Sequence, residues 1–146
     1  MMETKKLFVI RVRGRVRLLT TVKDTLDMMR LYNTNYCILV PATPVMLGMI
    51  AKAKDYITWG EADDAVVQEI FEKRGTLYTG PKTDSKKKIT YDNRYVEYNG
   101  KKYQKFFALN PPRRGYGRKG IKTLFVHQGA LGNRGAKIND LVRRML

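Results

Sequence analysis

Gly115, Gly117 and Gly120 form a literal G-x-G-x-x-G, a spacing that lets a backbone approach a dinucleotide pyrophosphate or a kinase-type phosphate. The dinucleotide fingerprint needs a strand just before it and a helix just after it. Here Pro111-Pro112-Arg113-Arg114 precedes and the strand-like Ile121-Lys122-Thr123-Leu124-Phe125-Val126 follows. Asp140 stands about twenty residues on, where a ribose-binding acid would lie, but it belongs to a late helical pattern. Nucleophilic chemistry lacks parts as well. His127 is the sole histidine, and Cys37 sits inside the apolar run Tyr36-Cys37-Ile38-Leu39-Val40. One cysteine makes no internal disulfide, and no Cys/His spacing suits zinc. Asp63 and Asp64 open a helix whose dipole favours them, and Met28, Met29, Met46 and Met49 recur at helical spacing as packing residues. No catalytic residue, metal or cofactor is expected.

The same segment does offer cations. Arg113, Arg114, Arg118 and Lys119 surround Tyr116 among glycines, which suits phosphate contact by arginine forks and stacking of tyrosine on an unpaired base. The alternative is a solvated basic loop, in which neighbouring positive charges stay unneutralised. Arg11, Arg13, Arg15 and Arg17 alternate along and beyond a strand, so one side could track a phosphate backbone; the alternative is a charged edge that guards against aggregation. Lys86, Lys87 and Lys88, with Lys101, Lys102 and Lys105 across a hairpin, could enter a groove between RNA helices as point charges. That stretch equally reads as a solvated loop until RNA orders it.

Charge as a whole points the same way. The 146 residues hold 29 Lys+Arg against 13 Asp+Glu, a net +16, where solubility alone favours a magnitude of about 2–8. Residues 1–80 carry 12 basic and 9 acidic side chains, and residues 81–146 carry 17 and 4, so the surplus lies toward the end. A polyanionic partner is implied, with RNA, DNA and an anionic membrane surface as candidates. The first residues match neither a signal peptide nor a spanning helix, and the cytoplasm is the expected compartment.

Several elements must position these groups. Leu7 to Arg13 alternates as a strand, with Phe8, Ile10 and Val12 on one face and Arg11 and Arg13 on the other. Thr20 or Thr21 caps a helix running to about Leu31. Tyr36–Val40 is a central strand stopped by Pro41, and Thr43-Pro44 starts a second helix with Met46, Met49, Ile50, Ala53 and Ile57 on one face. Gly48 in that helix lowers its propensity but permits close packing. Tyr56–Gly60 gives a third strand, and Glu61 to Arg74 a third helix. Asn99-Gly100 between tyrosine- and lysine-rich arms marks a hairpin in an exposed excursion over 76–105. A last helix from about Gly135 presents Ile138, Leu141, Val142 and Met145. The expected organisation is a core over 1–75 with a basic extension over 76–146 packed on it as one domain.

The joint order of several segments resembles the large-subunit ribosomal protein family called L-thirty in bacteria and archaea and L-seven in eukaryotes. Those segments are Phe8-Val9-Ile10-Arg11-Val12-Arg13-Gly14, Val22 to Leu31, Cys37-Ile38-Leu39-Val40-Pro41, Gly48-Met49, Asp55 to Glu61 and Lys73-Arg74-Gly75. Leu109-Asn110-Pro111-Pro112-Arg113, Gly129 to Gly135 and Ile138 to Met145 continue it. The resemblance covers roughly residues 5–75 and 106–146. It implies an α+β fold with a β-α-β-α-β core and a three-stranded antiparallel sheet, a truncated ferredoxin-like arrangement, followed by a helical, basic C-terminal extension. It also implies a non-enzymatic constituent of the large ribosomal subunit that contacts 23S-type rRNA near the 5S particle and neighbouring ribosomal proteins, with no membrane or small-molecule substrate. Lack of a long basic N-terminal extension favours the archaeal type. Residues 76–105 are shorter and more basic than the acidic insertion expected of archaeal relatives. The alternatives are an extra-ribosomal nucleic-acid chaperone or DNA-binding protein, and a nucleotide-binding activity at Gly115–Gly120.

Overall fold

The computed structural model describes residues 6–14, 18–75, 77, 85–87, 95–98, 100–113, 115–116, 120 and 123–146, with the backbone alone at 95 and 97. Strand β1 (Lys6–Arg11), helix α1 (Thr20–Met28), β2 (Tyr36–Pro41), α2 (Pro44–Lys52), β3 (Ile57–Glu61) and α3 (Asp64–Arg74) follow the expected order. A hairpin comes next, β4 (Tyr95–Tyr98) and β5 (Lys101–Gln104), then β6 (Phe107–Ala108), β7 (Gly132–Asn133) and α4 (Ile138–Met145).

Period-two alternation in β1 decides the layering. Phe8 and Ile10 join a core cluster with Val66, Ile70 and Phe71 of α3 and Ile138, Leu141 and Val142 of α4. Leu7 and Val9 join a second cluster with Leu26 of α1 and Ile50 of α2. The sheet is therefore covered on both faces, which withdraws β1 from water almost entirely.

The sheet is larger than the expected three antiparallel strands. Its order is β6-β2-β1-β3-β7, and β7 runs parallel to β3 through Thr58↔Gly132 and Trp59↔Asn133. β6 extends the other side, antiparallel to β2, at Tyr36↔Ala108 and Cys37↔Phe107. Both added strands are two residues long and show no alternation that a sequence reading can use.

Local differences have local causes. α1 ends at Met28 rather than near Leu31 because Arg30 turns into the left-handed region, φ 63. The Arg30 amide donates to the Asp27 carbonyl at 3.1 Å and the Leu31 amide to Leu26 at 3.0 Å, a Schellman closure with arginine where glycine is usual. Thr20 is already helical, and Leu19 occupies the N-cap without a side-chain bond. α2 starts as expected: Thr43 Oγ1 accepts from the Met46 amide at 3.3 Å and Pro44 follows. It ends at Lys52, so Ile57 belongs to β3. In place of a strand over Ile121–Val126, Leu124 makes an isolated bridge to Leu131 and a 3-10 turn spans Phe125–His127; residues 121 and 122 lie outside the described residues.

The hairpin is less of an excursion than expected. Tyr98 stacks on Phe71 of α3, ring centroids 4.2 Å apart and planes 7° from parallel, and Tyr103 lies 5.2 Å from the same ring. Cys37 is fully buried, and burial pushes its thiol well above the ordinary range against a smaller opposing effect of a backbone hydrogen bond from Val9. It is a packing residue.

Two glycines separate close packing from mere flexibility. A Cβ on Gly60 would meet the Gly135 carbonyl and stand 2.7 Å from Ile138, so β3 and α4 approach only because no side chain intervenes. Gly48 has nothing within 4 Å of such a Cβ, contrary to the expected close packing. Gly60→Ala should lower unfolding free energy by about 1–3 kcal/mol in urea titration. Gly48→Ala should raise it by about 0.5–1 kcal/mol, and equal effects of the two substitutions would contradict this packing.

Candidate nucleic-acid interface

At the sheet end where β1 stops and β2 and β3 begin lie Arg11, Arg13 and Tyr116 of the expected residues. Arg11 is 1% exposed there and takes no place on a solvent face. Period two puts it on the side of Leu7 and Val9, and its guanidinium donates to the carbonyls of Arg13 (2.9 Å), Leu31 (2.7 Å) and Tyr32 (3.2 Å). It ties the end of β1 to the loop after α1, so Arg11 is not a member of the expected outward row. Arg13 is half-exposed, lies 4.8 Å over the Tyr56 ring and donates weakly to the Asp55 carbonyl at 3.4 Å.

The Pro/Gly/Arg segment docks on this same end. Tyr116 packs against Val12, Ala130 and Leu131, and its hydroxyl donates to Asn35 Oδ1. Burial raises the Tyr116 pKa, outweighing the opposing charge of Arg134, so the phenol remains a neutral donor. The group expected to stack on bases is thus largely a latch between the loop and the start of β2. Arg144 of α4 holds the loop from its other side, donating to the carbonyls of Arg113 at 3.0 Å and Gly115 at 2.8 Å. Arg113 itself is exposed.

Beneath the latch lies Arg134, which the charge pattern did not single out. It is 6% exposed and has no carboxylate among its hydrogen-bond partners in the described residues. Its guanidinium donates to Thr58 Oγ1 (2.9 Å) and to the carbonyls of Tyr116 (2.7 Å) and Ala130 (3.1 Å), while lying 4.7 Å over the Phe125 ring. Burial first, and the Arg144 charge second, lower its pKa to about 10, so it stays cationic at neutral pH. Thr58 in turn donates to the Gly132 carbonyl at 2.9 Å, which couples this centre to the β3–β7 pairing. The glycine-flanked Asn133-Arg134-Gly135 was its sequence signal.

Lys86 and Lys87 are exposed in a turn at 85–87, and no described contact joins them to this end. Arg15, Arg17, Lys88, Arg114, Arg118 and Lys119 lie outside the described residues. Among the described residues there is no group of three or more His, Cys, Asp or Glu that could hold a metal ion, and no helix long and apolar enough to cross a membrane.

The described residues define a basic α+β protein that buries Arg11 and Arg134 and exposes Lys86, Lys87 and Arg113. A model of the family described as ribosomal protein L30p/L7e matches residues 7–57, from β1 to the first residue of β3. The chain is 42% identical to the large ribosomal subunit protein uL30 of Nanoarchaeum equitans, over 94% of this chain and 97% of that protein. It is 40% identical to that of Methanopyrus kandleri (92% and 100% covered) and 37% identical to that of Methanococcus maripaludis (94% and 97%). The chain belongs to the uL30 family of large ribosomal subunit proteins, whose members are structural constituents of the ribosome and not enzymes.

Removing the Arg134 guanidinium leaves two carbonyls and a hydroxyl buried without their donor. Arg134→Met should cost about 2–4 kcal/mol, read as a lower melting temperature. Arg134→Lys should rescue little, because an ammonium lacks the planar fork. Arg113→Ala, on the exposed side of the same loop, should stay within about 0.5 kcal/mol of the parent.

Proposed function

We propose that the sheet end carrying Arg13 and the 111–120 loop grips the phosphate backbone of folded large-subunit rRNA, offsetting its self-repulsion and fixing helices in one arrangement. The supporting observation is the anchoring of the loop: Tyr116 to Asn35, Arg144 to Arg113 and Gly115, and Arg134 to Tyr116. A loop held this way presents Arg113 with little conformational entropy left to lose. Arg15 and Arg17 follow Gly14 in sequence, and Arg118 and Lys119 follow Tyr116. Lys86, Lys87 and Lys88 form a separate, less specific contact.

Residues 76–146 act with 1–75 as one unit, a reading supported by the shared cluster of Phe8 and Ile10 with Leu141 and Val142. Placement near the 5S particle and beside other subunit proteins follows from the family resemblance.

Binding of the full chain to a large-subunit rRNA fragment should weaken steeply with salt. Replacing Arg113, Arg114, Arg118 and Lys119 by glutamine should lower the log–log salt slope by about 0.7–0.9 for each phosphate left without its cation. A slope indifferent to those four changes would remove this loop from the interface. Equal affinity for a DNA duplex of matched length would favour a general nucleic-acid chaperone instead.

A further inference from the structure

We infer that the cleft between the end of α1, the outer edge of β2 and the β4–β5 hairpin receives one unpaired rRNA nucleotide, its base on a methionine wall and its phosphate between Arg30 and Lys105. This rests on the rRNA reading above but concerns a different surface. The cleft holds about 370 Å³, within the range of about 300–1,000 Å³ of small-ligand pockets. Met28, Met29, Met46 and Ile38 supply its apolar wall, Val96 of the hairpin stands opposite, and Arg30 and Lys105 are its charged members. No carboxylate is among the described residues that line it.

Three observations favour a nucleotide. Arg30 occupies the left-handed residue after α1, where glycine would close the helix without steric cost, so an arginine there supplies a side chain at a conformational penalty. Arg30 and Lys105 both line the cleft, and the Lys105 pKa is lowered first by burial and second by the Arg30 charge, a setting that favours an anion. Met28 is 73% exposed at the rim, although Met29 beside it is buried. A flexible, polarizable thioether facing water at the mouth of a cationic cleft suits contact with an aromatic ring.

The edge of β2 adds recognition groups. β6 pairs with β2 only at Tyr36 and Cys37, so residues 38–41 have no strand on that side among the described ladders. Ile38, Leu39, Val40 and Pro41 line the cleft, so this unpaired edge of β2 lies within it. Bases splayed from single-stranded RNA are recognised by such a combination of stacking, edge hydrogen bonds and phosphate contact.

The test places a benzophenone-bearing photoreactive residue at Met28 in the full chain and irradiates purified large subunits. A crosslink to an unpaired rRNA nucleotide is expected. Subunits that retain the chain but give no crosslink, or crosslinks to protein alone, would overturn the inference. Absence of the chain from large subunits would instead overturn the rRNA reading itself. Arg30→Gly separates binding from folding, since glycine suits the left-handed backbone: the melting temperature should hold or rise while affinity for the rRNA fragment containing that nucleotide falls about tenfold, as for removal of one charge-assisted hydrogen bond. Lys105→Gln should give a similar fall. Unchanged affinity in both variants would likewise reject the site.

Discussion

A buried guanidinium satisfied by neutral oxygens, Arg134 on Thr58, Tyr116 and Ala130, is the interaction on which the basic half of the molecule depends. Removing a full charge from water is costly, and in this setting the cost is offset by three hydrogen bonds and the Phe125 ring face. These groups come from β3, the 111–120 loop, the turn before β7 and the short helical turn at 125–127. Arg134 therefore acts as a junction between segments that share no continuous secondary structure.

A second arginine plays a comparable part at the neighbouring strand. Arg11 closes the end of β1 against the carbonyls of Leu31 and Tyr32, just as Arg134 closes β3 against those of Tyr116 and Ala130. Both are excluded from solvent, so part of the +16 surplus goes to holding the fold together. Among the described residues, Lys86, Lys87 and Arg113 are exposed.

The double-sided sheet explains how so small a chain supports these commitments. With α1 and α2 on one face and α3 and α4 on the other, β1 buries residues of both parities. The hairpin completes the second layer by stacking Tyr98 on Phe71. Arg143 to Glu69 at 3.4 Å and Arg144 to Asp140 at 3.3 Å link solvent-accessible groups, and such pairs contribute little.

Patterns with a local physical cause were readable in advance. Thr43-Pro44 declared a helix start, Asn99-Gly100 a hairpin, and Ile138, Leu141, Val142 and Met145 an apolar helical stripe; each depends on backbone preferences or periodicity within a few residues. The charge surplus was equally legible, because excess charge needs no fold to be counted. The tertiary structure alone decided that β7 runs parallel to β3, that β6 extends the other edge, that Arg11 turns inward and that Tyr116 serves as a latch. Those outcomes rest on carbonyls and amides meeting across separations such as Thr58 to Gly132. Every residue carries the same backbone groups, so the sequence holds no mark of which carbonyl a guanidinium will find until packing has brought them together.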